Sequence, residues 1–253
     1  MGGRGATIGH QNYSGKINIK VSNTFDQDTE TKKQTHIVKK LKNRNVVVMS
    51  STDDIQYDIL TPNLKQLDKI LSTTKPYYKF LEKEKLYIRT EDFADSRINA
   101  GFRCAVNEFN KPEIIFNSNL ETKTRQKIEE TAKQQISMGY WTKSDKDQLV
   151  NRTMTHELGH YVQRMLTHTH VEKVGESEVR SNNPIAYDTK VAEKMRADVK
   201  KICYTKFGVK PRSSEYGETS PFEWFAETFA ELHTTKKPSY MAQALDIYLK
   251  EKI

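Results

Sequence analysis

The chain has little that would cross-link it or hold it in a membrane. Its two cysteines, Cys104 and Cys203, are too few for a disulfide scaffold in 253 residues and are not spaced for a cysteine zinc site, so both are expected to be reduced core residues. The longest apolar run, residues 46–49, is far shorter than the roughly 18 residues of a membrane span. The first residues also lack the apolar core of a secretory signal. We therefore expect no membrane insertion, and a protein that is cytoplasmic or is delivered by a non-classical route.

Basic residues outnumber acidic ones, and the excess is concentrated at the start of the chain. The net charge is +8, and residues 1–49 carry nine basic and three acidic side chains. Residues 1–45 are rich in Gly, Asn, Gln, Thr and Lys and show little periodicity, which predicts a disordered basic tail. For this tail, simple solvation is favoured over contact with nucleic acid or another anionic surface. Residues 46–253 are expected to form one folded domain.

The hydrophobic pattern after the tail changes from strand-like to helical. A first helix is expected to begin with Thr61 as N-cap and Pro62 at its first position. Strands are predicted over 86–88, 102–106 and 113–116, which together suggest a small antiparallel sheet. Helices are predicted over 121–138, 146–166 and 189–206, from about 220, and over 239–250. The order indicates an α+β fold with a small mixed N-terminal lobe and a helical C-terminal lobe.

The segment Thr155-His-Glu-Leu-Gly-His160 lies within the predicted helix 146–166. Residues four apart on a helix share a face, so His156 and His160 can chelate one metal ion. Glu157 is one step further round the helix, where it can reach a water bound to that ion and act as a general base. Gly159 is expected to keep the turn between the ligands narrow. The His-Glu-x-x-His pattern arises by chance in on the order of one per cent of chains of this length, so a third ligand decides the interpretation.

Three places for that third ligand can be compared. The metzincin spacing is excluded, because Leu166 stands where the third histidine would be and Gln163 replaces the glycine. His168 and His170 lie at or past the helix end and are interpreted as surface residues. The segment 220–231 is the better candidate, because it places Glu223 and Glu227 four apart beside a bulky apolar stripe, where carboxylates are costly to bury without partners. A solvent-facing edge of an amphipathic helix is the alternative explanation of this pair.

These two segments resemble those of the gluzincin metallopeptidases, in particular catalytic domains of the anthrax lethal factor type. The matching pieces are His156-Glu-Leu-Gly-His160, Tyr216-Gly217 and the run Glu223-Trp-Phe-Ala-Glu-Thr-Phe229. Trp224 stands where that family has Phe, and the interval from His160 to Glu223 is longer than in the lethal factor catalytic domain. The opening Met-Gly-Gly-Arg-Gly-Ala is similar to the start of proteins from bacterial prophages and other mobile elements.

The resemblance implies a zincin-like fold in which the active-site helix lies between the sheet lobe and the helical lobe. It implies zinc as the cofactor, with His156, His160 and Glu223 as the ligands. It also implies that the Tyr216 hydroxyl stabilises the oxyanion or assists the leaving group, and that the Glu227 carboxylate orients a ligand histidine without itself binding the metal.

The predicted function is that of a zinc metalloendopeptidase acting on a protein or peptide. The substrate is expected to lie extended along an edge strand, with residues 113–116 as the candidate strand. The alternative is a non-catalytic structural or interaction protein of a phage or mobile element, in which zinc only braces the fold.

Overall fold

The structure is a computed structural model in which the chain divides into two compact units, Met1–Glu129 and Glu130–Ile253. Helices predominate among the described residues, and none of these helices combines the length and apolar character needed to cross a membrane. The zincin fold, with its active-site helix between two lobes, stays a prediction. The structure describes residues 18–22, 34–41, 44–50, 57–73, 86–91, 102–106, 112–117, 124–168, 172–174, 177–179 and 184–252.

The first unit contains a six-stranded sheet with the strand order β1-β2-β3-β4-β6-β5. Strands β1 to β3 pair antiparallel, β4 pairs parallel with both β3 and β6, and β5 pairs antiparallel with β6. The sheet is therefore mixed, whereas the sequence suggested an antiparallel one. Its strands are β1 (Asn18–Ser22), β2 (Gln34–Leu41), β3 (Arg44–Ser50), β4 (Leu86–Glu91), β5 (Phe102–Val106) and β6 (Pro112–Asn117).

The structure places regular elements in the segment that the sequence analysis interpreted as a disordered tail. Strands β1 and β2 lie within residues 1–45, and β2 pairs with β3 across the expected domain boundary at 45/46. In β1, Ile19 and Val21 alternate with polar residues, which is the period of a strand but is too short to stand out. Residues 1–17, 23–33 and 42–43 lie outside the described part of the chain.

Strand β6 is an interior strand, so the expectation that residues 113–116 form a substrate-binding edge is wrong. Both sides of β6 are hydrogen-bonded, one to β4 and the other to β5. Ile114, Ile115 and Phe116 are all fully buried, as in strands covered on both faces. Such a strand has no free backbone groups to offer to a substrate.

The first helix begins earlier than predicted. Helix α1 spans Tyr57–Thr73 and therefore contains Pro62 in its interior. Proline removes one backbone hydrogen bond there, which is normally unfavourable. Burial of Ile59, Leu60 and Leu67 on one side of the helix offsets that loss.

In the described part of the second unit, the strands are those of the short hairpin, β7 (Glu172–Val174) and β8 (Ser177–Val179), and the other long elements are helices. The 146–166 prediction corresponds to a short 3₁₀ turn, Lys146–Gln148, that leads into α3. The predicted apolar stripe of α3 is buried at Val150, Met154, Leu158 and Tyr161. The helices are α2 (Arg125–Ser137), which begins in the first unit, α3 (Leu149–His168), α4 (Pro184–Phe207), α5 (Pro221–Thr234) and α6 (Tyr240–Lys252).

Candidate metal centre

Two helices of the second unit, α3 and α5, supply the predicted ligands. His156 and His160 are one turn apart on α3, and their rings stand edge to face. Glu223 lies in the first turn of α5. Ser220 is the N-cap of this helix, and Pro221 is its first residue. The Ser220 hydroxyl accepts a hydrogen bond from the backbone N–H of Glu223 at 3.0 Å. This cap fixes the start of α5 and thereby the backbone that carries the glutamate.

The three side chains converge on one point. Glu223 Oε2 is 3.0 Å from His156 Nε2 and 3.4 Å from His160 Nε2, and the two nitrogens are 3.1 Å apart. In a tetrahedral site with bonds of about 2.0–2.1 Å, ligand atoms are separated by about 3.3 Å. The observed separations therefore fit three corners of such a site. The group His156, His160 and Glu223 could hold a metal ion.

Glu223 Oε2 is buried and faces the imidazoles of His156 and His160. Burial by itself would raise the pKa of Glu223, but the imidazoles of His156 and His160 outweigh it and hold that pKa far below its usual range. A buried, ionised oxygen that converges with two imidazole nitrogens is a group that a cation would satisfy.

The protonation of His156 is set from both sides of its ring. Burial would lower its pKa, but the carboxylates of Glu223 and Glu227 raise it to about 9. Its Nδ1 is 3.0 Å from Glu227 Oε1 and its Nε2 faces the convergence point. A hydrogen bond from Nδ1–H to Glu227 leaves Nε2 as the atom that can bind a metal.

Glu227 is the centre of a buried polar network. The residue is fully buried, and both of its carboxylate oxygens lie 2.6 Å from Arg152 Nη2. Oε2 also accepts from the Thr142 backbone N–H at 2.7 Å and from the Ser214 hydroxyl at 3.0 Å. Burial would raise the pKa of Glu227, but the Arg152 guanidinium and His156 lower it to about 2. The carboxylate is therefore an acceptor for every donor around it.

Tyr216 and Glu157 both lie near the three converging side chains. The Tyr216 ring stacks on His156 with centroids 5.8 Å apart, and its other neighbour is Tyr140, at 5.3 Å. Burial and the Glu223 carboxylate both raise the pKa of Tyr216, so its hydroxyl stays protonated. The Glu157 carboxylate is close enough to raise the pKa of both His156 and Tyr216. A proton acceptor and a neutral hydroxyl donor thus lie near the three ligands.

Two glycines let the parts of the site come together. A Cβ on Gly159 would lie 2.8 Å from the Ala226 backbone Cα, so α3 and α5 approach more closely than any side chain at 159 allows. Gly159 serves this approach, and not the narrow turn that the sequence analysis assigned to it. A Cβ on Gly217 would lie 2.5 Å from Ser213 Oγ and 3.3 Å from Glu227 Cβ. The segment that carries Tyr216 therefore packs directly on α5.

The sequence indicated the three side chains that converge, but not the residues that support one of them. Arg152, Thr142 and Ser214 are buried around Glu227, yet none of them was singled out. One signal was present: Arg152 precedes His156 by four residues, so a cation lies on the ligand-bearing face of α3. His168 ends α3 and His170 follows it; the His168 side chain and residue 170 lie outside the described part of the structure.

Comparison of the chain with known protein families, with curated proteins and with solved structures found no match. The site is therefore characterised by its own geometry: two imidazoles and a carboxylate that could hold a metal ion, next to a glutamate and a tyrosine.

Proposed function

We propose that the protein is a zinc metallopeptidase of the gluzincin type, similar to catalytic domains of the lethal factor kind, that hydrolyses peptide bonds. The observation that carries this proposal is the convergence of His156 Nε2, His160 Nε2 and Glu223 Oε2 within 3.0–3.4 Å of one another. Two nitrogens, one carboxylate oxygen and separations close to a tetrahedron are the donor set of catalytic zinc sites. A zinc ion held there would lower the pKa of a bound water to about 7 and polarise the substrate carbonyl.

Glu157 is the proposed general base. It is adjacent in sequence to a ligand, and its charge acts on both His156 and Tyr216. A carboxylate in this position can take a proton from the attacking water and deliver it to the departing amine. The partial exposure of Glu157 suits that role, because the carboxylate must reach both the water and the leaving group.

Tyr216 is the proposed oxyanion donor. Its raised pKa keeps the hydroxyl neutral at every physiological pH, so it can donate a hydrogen bond to the negative charge that develops on the carbonyl oxygen. Stacking on His156 holds the ring beside the ligands, which limits the reorganisation needed when the charge appears. A site that only braced a fold would need neither this hydroxyl nor the Glu157 carboxylate.

The Glu157→Gln variant tests the proposal. It should bind zinc with the affinity of the native chain, because Glu157 is not among the converging ligands, and its peptidase activity should fall by about 10²–10⁴-fold with the loss of the base. The measurements are zinc content by elemental analysis and cleavage of a peptide library, each with and without a chelator. Glu193→Gln, an exposed position on α4, is the matched control.

The outcomes separate the two functions under consideration. Chelator-sensitive cleavage that is lost in Glu157→Gln and kept in Glu193→Gln supports the peptidase. Full activity in Glu157→Gln rules out this base. Tight zinc binding by the native chain with no cleavage of any library peptide instead favours the zinc-braced structural protein.

A further inference from the structure

We infer that Arg152 is a positioning residue for the metal centre, acting on His156 through the Glu227 carboxylate. The inference rests on the metal site of the proposed function and not on its peptidase chemistry. Arg152 and His156 are one turn apart on α3, and Glu227 contacts both of them from α5. A single carboxylate thus links the guanidinium to a metal ligand.

Arg152 is held too specifically to be an ordinary ion-pair partner. Only 1% of the residue is exposed, and its guanidinium lies 4.3 Å from the centroid of the Trp141 ring. Its Nε donates to the Thr142 carbonyl at 3.3 Å and its Nη2 to the Thr142 hydroxyl at 3.2 Å. A planar group that donates from both Nε and Nη2 and has an aromatic ring on its face can occupy few orientations.

The two carboxylate oxygens of Glu227 accept from different sets of donors, and only Oε1 also contacts His156. Oε2 receives the Thr142 N–H, the Ser214 hydroxyl and Arg152 Nη2, while Oε1 receives Arg152 Nη2 and His156 Nδ1. Since donors from three parts of the chain fix the carboxylate, Oε1 meets His156 in one orientation. The ring of His156 is then directed so that its Nε2 faces Glu223 and His160.

The buried charge of Glu227 is the second reason to assign Arg152 a positioning role. Glu227 is fully buried and Arg152 is its only guanidinium or ammonium partner among the described residues. A buried carboxylate without such a partner is strongly disfavoured in its ionised form. Without Arg152, the Glu227 carboxylate would lose the contacts of both its oxygens with Nη2 at 2.6 Å and would be free to turn, so its hydrogen bond with His156 Nδ1 would weaken. The metal ligand would lose its orientation, although no ligand atom had been removed.

The experiment measures zinc affinity by chelator competition for Arg152→Met, Arg152→Lys, Glu227→Gln and the double variant Arg152→Met/Glu227→Gln, in the full chain. Arg152→Met should weaken zinc binding by about 10–100-fold, the usual effect of removing a group that orients a ligand. Arg152→Lys keeps the charge and loses the planar contacts, so its loss should be smaller. Arg125→Met, which removes an exposed ion pair with Glu129 on α2, is the control.

The double variant tests the route of the effect. If Arg152 acts through the carboxylate, Arg152→Met should cost no further affinity once residue 227 is Gln, so the two losses should not add. It also removes both buried charges together, so it should fold even if Arg152→Met alone does not. The visible spectrum of the cobalt-loaded protein supplies a second readout, since a turned His156 changes the ligand field of the saturated site.

The results fall into distinct classes. Unchanged zinc affinity and cobalt spectrum in Arg152→Met, with only a lower melting temperature, would show that the residue is merely structural. Fully additive losses in the double variant would overturn the route through Glu227. A native chain that binds no zinc overturns this inference together with the metal site. A native chain that binds zinc and cleaves no peptide refutes only the peptidase proposal. The zinc affinities of the Arg152 variants still test the positioning role in that case.

Discussion

Replacing Gly159 with alanine should weaken metal binding, although the new methyl group touches no ligand. The added Cβ would lie 2.8 Å from Ala226 Cα, about 0.6 Å closer than the 3.4 Å at which ordinary contact begins. The nearest atom belongs to the backbone of α5, so no side-chain rotation relieves the overlap. The helices must instead move apart by a similar amount, and α5 carries Glu223 with it.

The size of the effect follows from two opposing terms. Alanine favours the helix over glycine by about 1 kcal/mol, while overpacking a tight contact costs about 1–3 kcal/mol. The free energy of unfolding without metal should therefore fall by about 0–2 kcal/mol. Metal ligation tolerates errors of only about 0.2 Å, so binding must push the helices back together. We expect zinc affinity to fall by about 10–100-fold, which corresponds to about 1.4–2.7 kcal/mol.

The assay is a chelator competition for zinc, combined with urea unfolding of the metal-free protein. The double variant Gly159→Ala/Ala226→Gly is a useful control: it removes the Ala226 Cβ, 3.4 Å away, but keeps the Cα at 2.8 Å, so it should not restore binding. Native zinc affinity in Gly159→Ala, with stability increased by the helix-propensity term alone, would refute the view that helix approach sets the ligand geometry.

Two further predictions concern the tyrosine and the metal-free histidine. Tyr216→Phe should keep zinc and lower kcat by about 10²–10³-fold, the usual loss for one oxyanion donor, whereas Tyr204→Phe, 65% exposed on α4, should match the native enzyme; equal kcat in both would contradict the assigned role. Without metal, the folded pKa of His156 lies at about 9, above its ordinary 6.5, so its stabilising contribution is complete below pH 6.5 and is lost as the pH rises through 9. Urea unfolding in chelator at pH 6 and pH 9 measures this decline, and a decline that persists unchanged in His156→Asn would assign it to another group.

Local periodicity predicted the helices of the second unit well, because each signal lies within one helix, whereas it gave no sign of the hairpin formed by β7 and β8. The spacing of His156 and His160 on α3 and the Ser220-Pro221 start of α5 are both read from neighbouring residues. What the spacing does not contain is the distance between helices. The meeting of Glu223 with the imidazoles depends on the absent side chain at Gly159, whose effect appears only when α5 is in place.

The parts that were missed depend on pairing between distant segments. The residues that hold Glu227 are 85 and 75 positions away in the case of Thr142 and Arg152, so no local pattern links them. Sheet order is similarly non-local: an apolar run such as β6 is compatible with an edge or an interior strand until its neighbours are known. Short strands such as β1 carry too few residues to be recognised alone.

The N-terminal turn of α5 carries a candidate metal ligand at a position that ordinarily stabilises the start of a helix. Ser220-Pro-Phe-Glu223 has the spacing of a capping box, in which the glutamate normally bends back to the first residue of its own helix. Here the serine keeps its half of that exchange, while Glu223 Oε2 is directed across to the neighbouring helix. Binding of the proposed cation would use the Glu223 carboxylate in place of its stabilising contact at the start of α5. Binding of the cation and ordering of that first turn should therefore be energetically coupled.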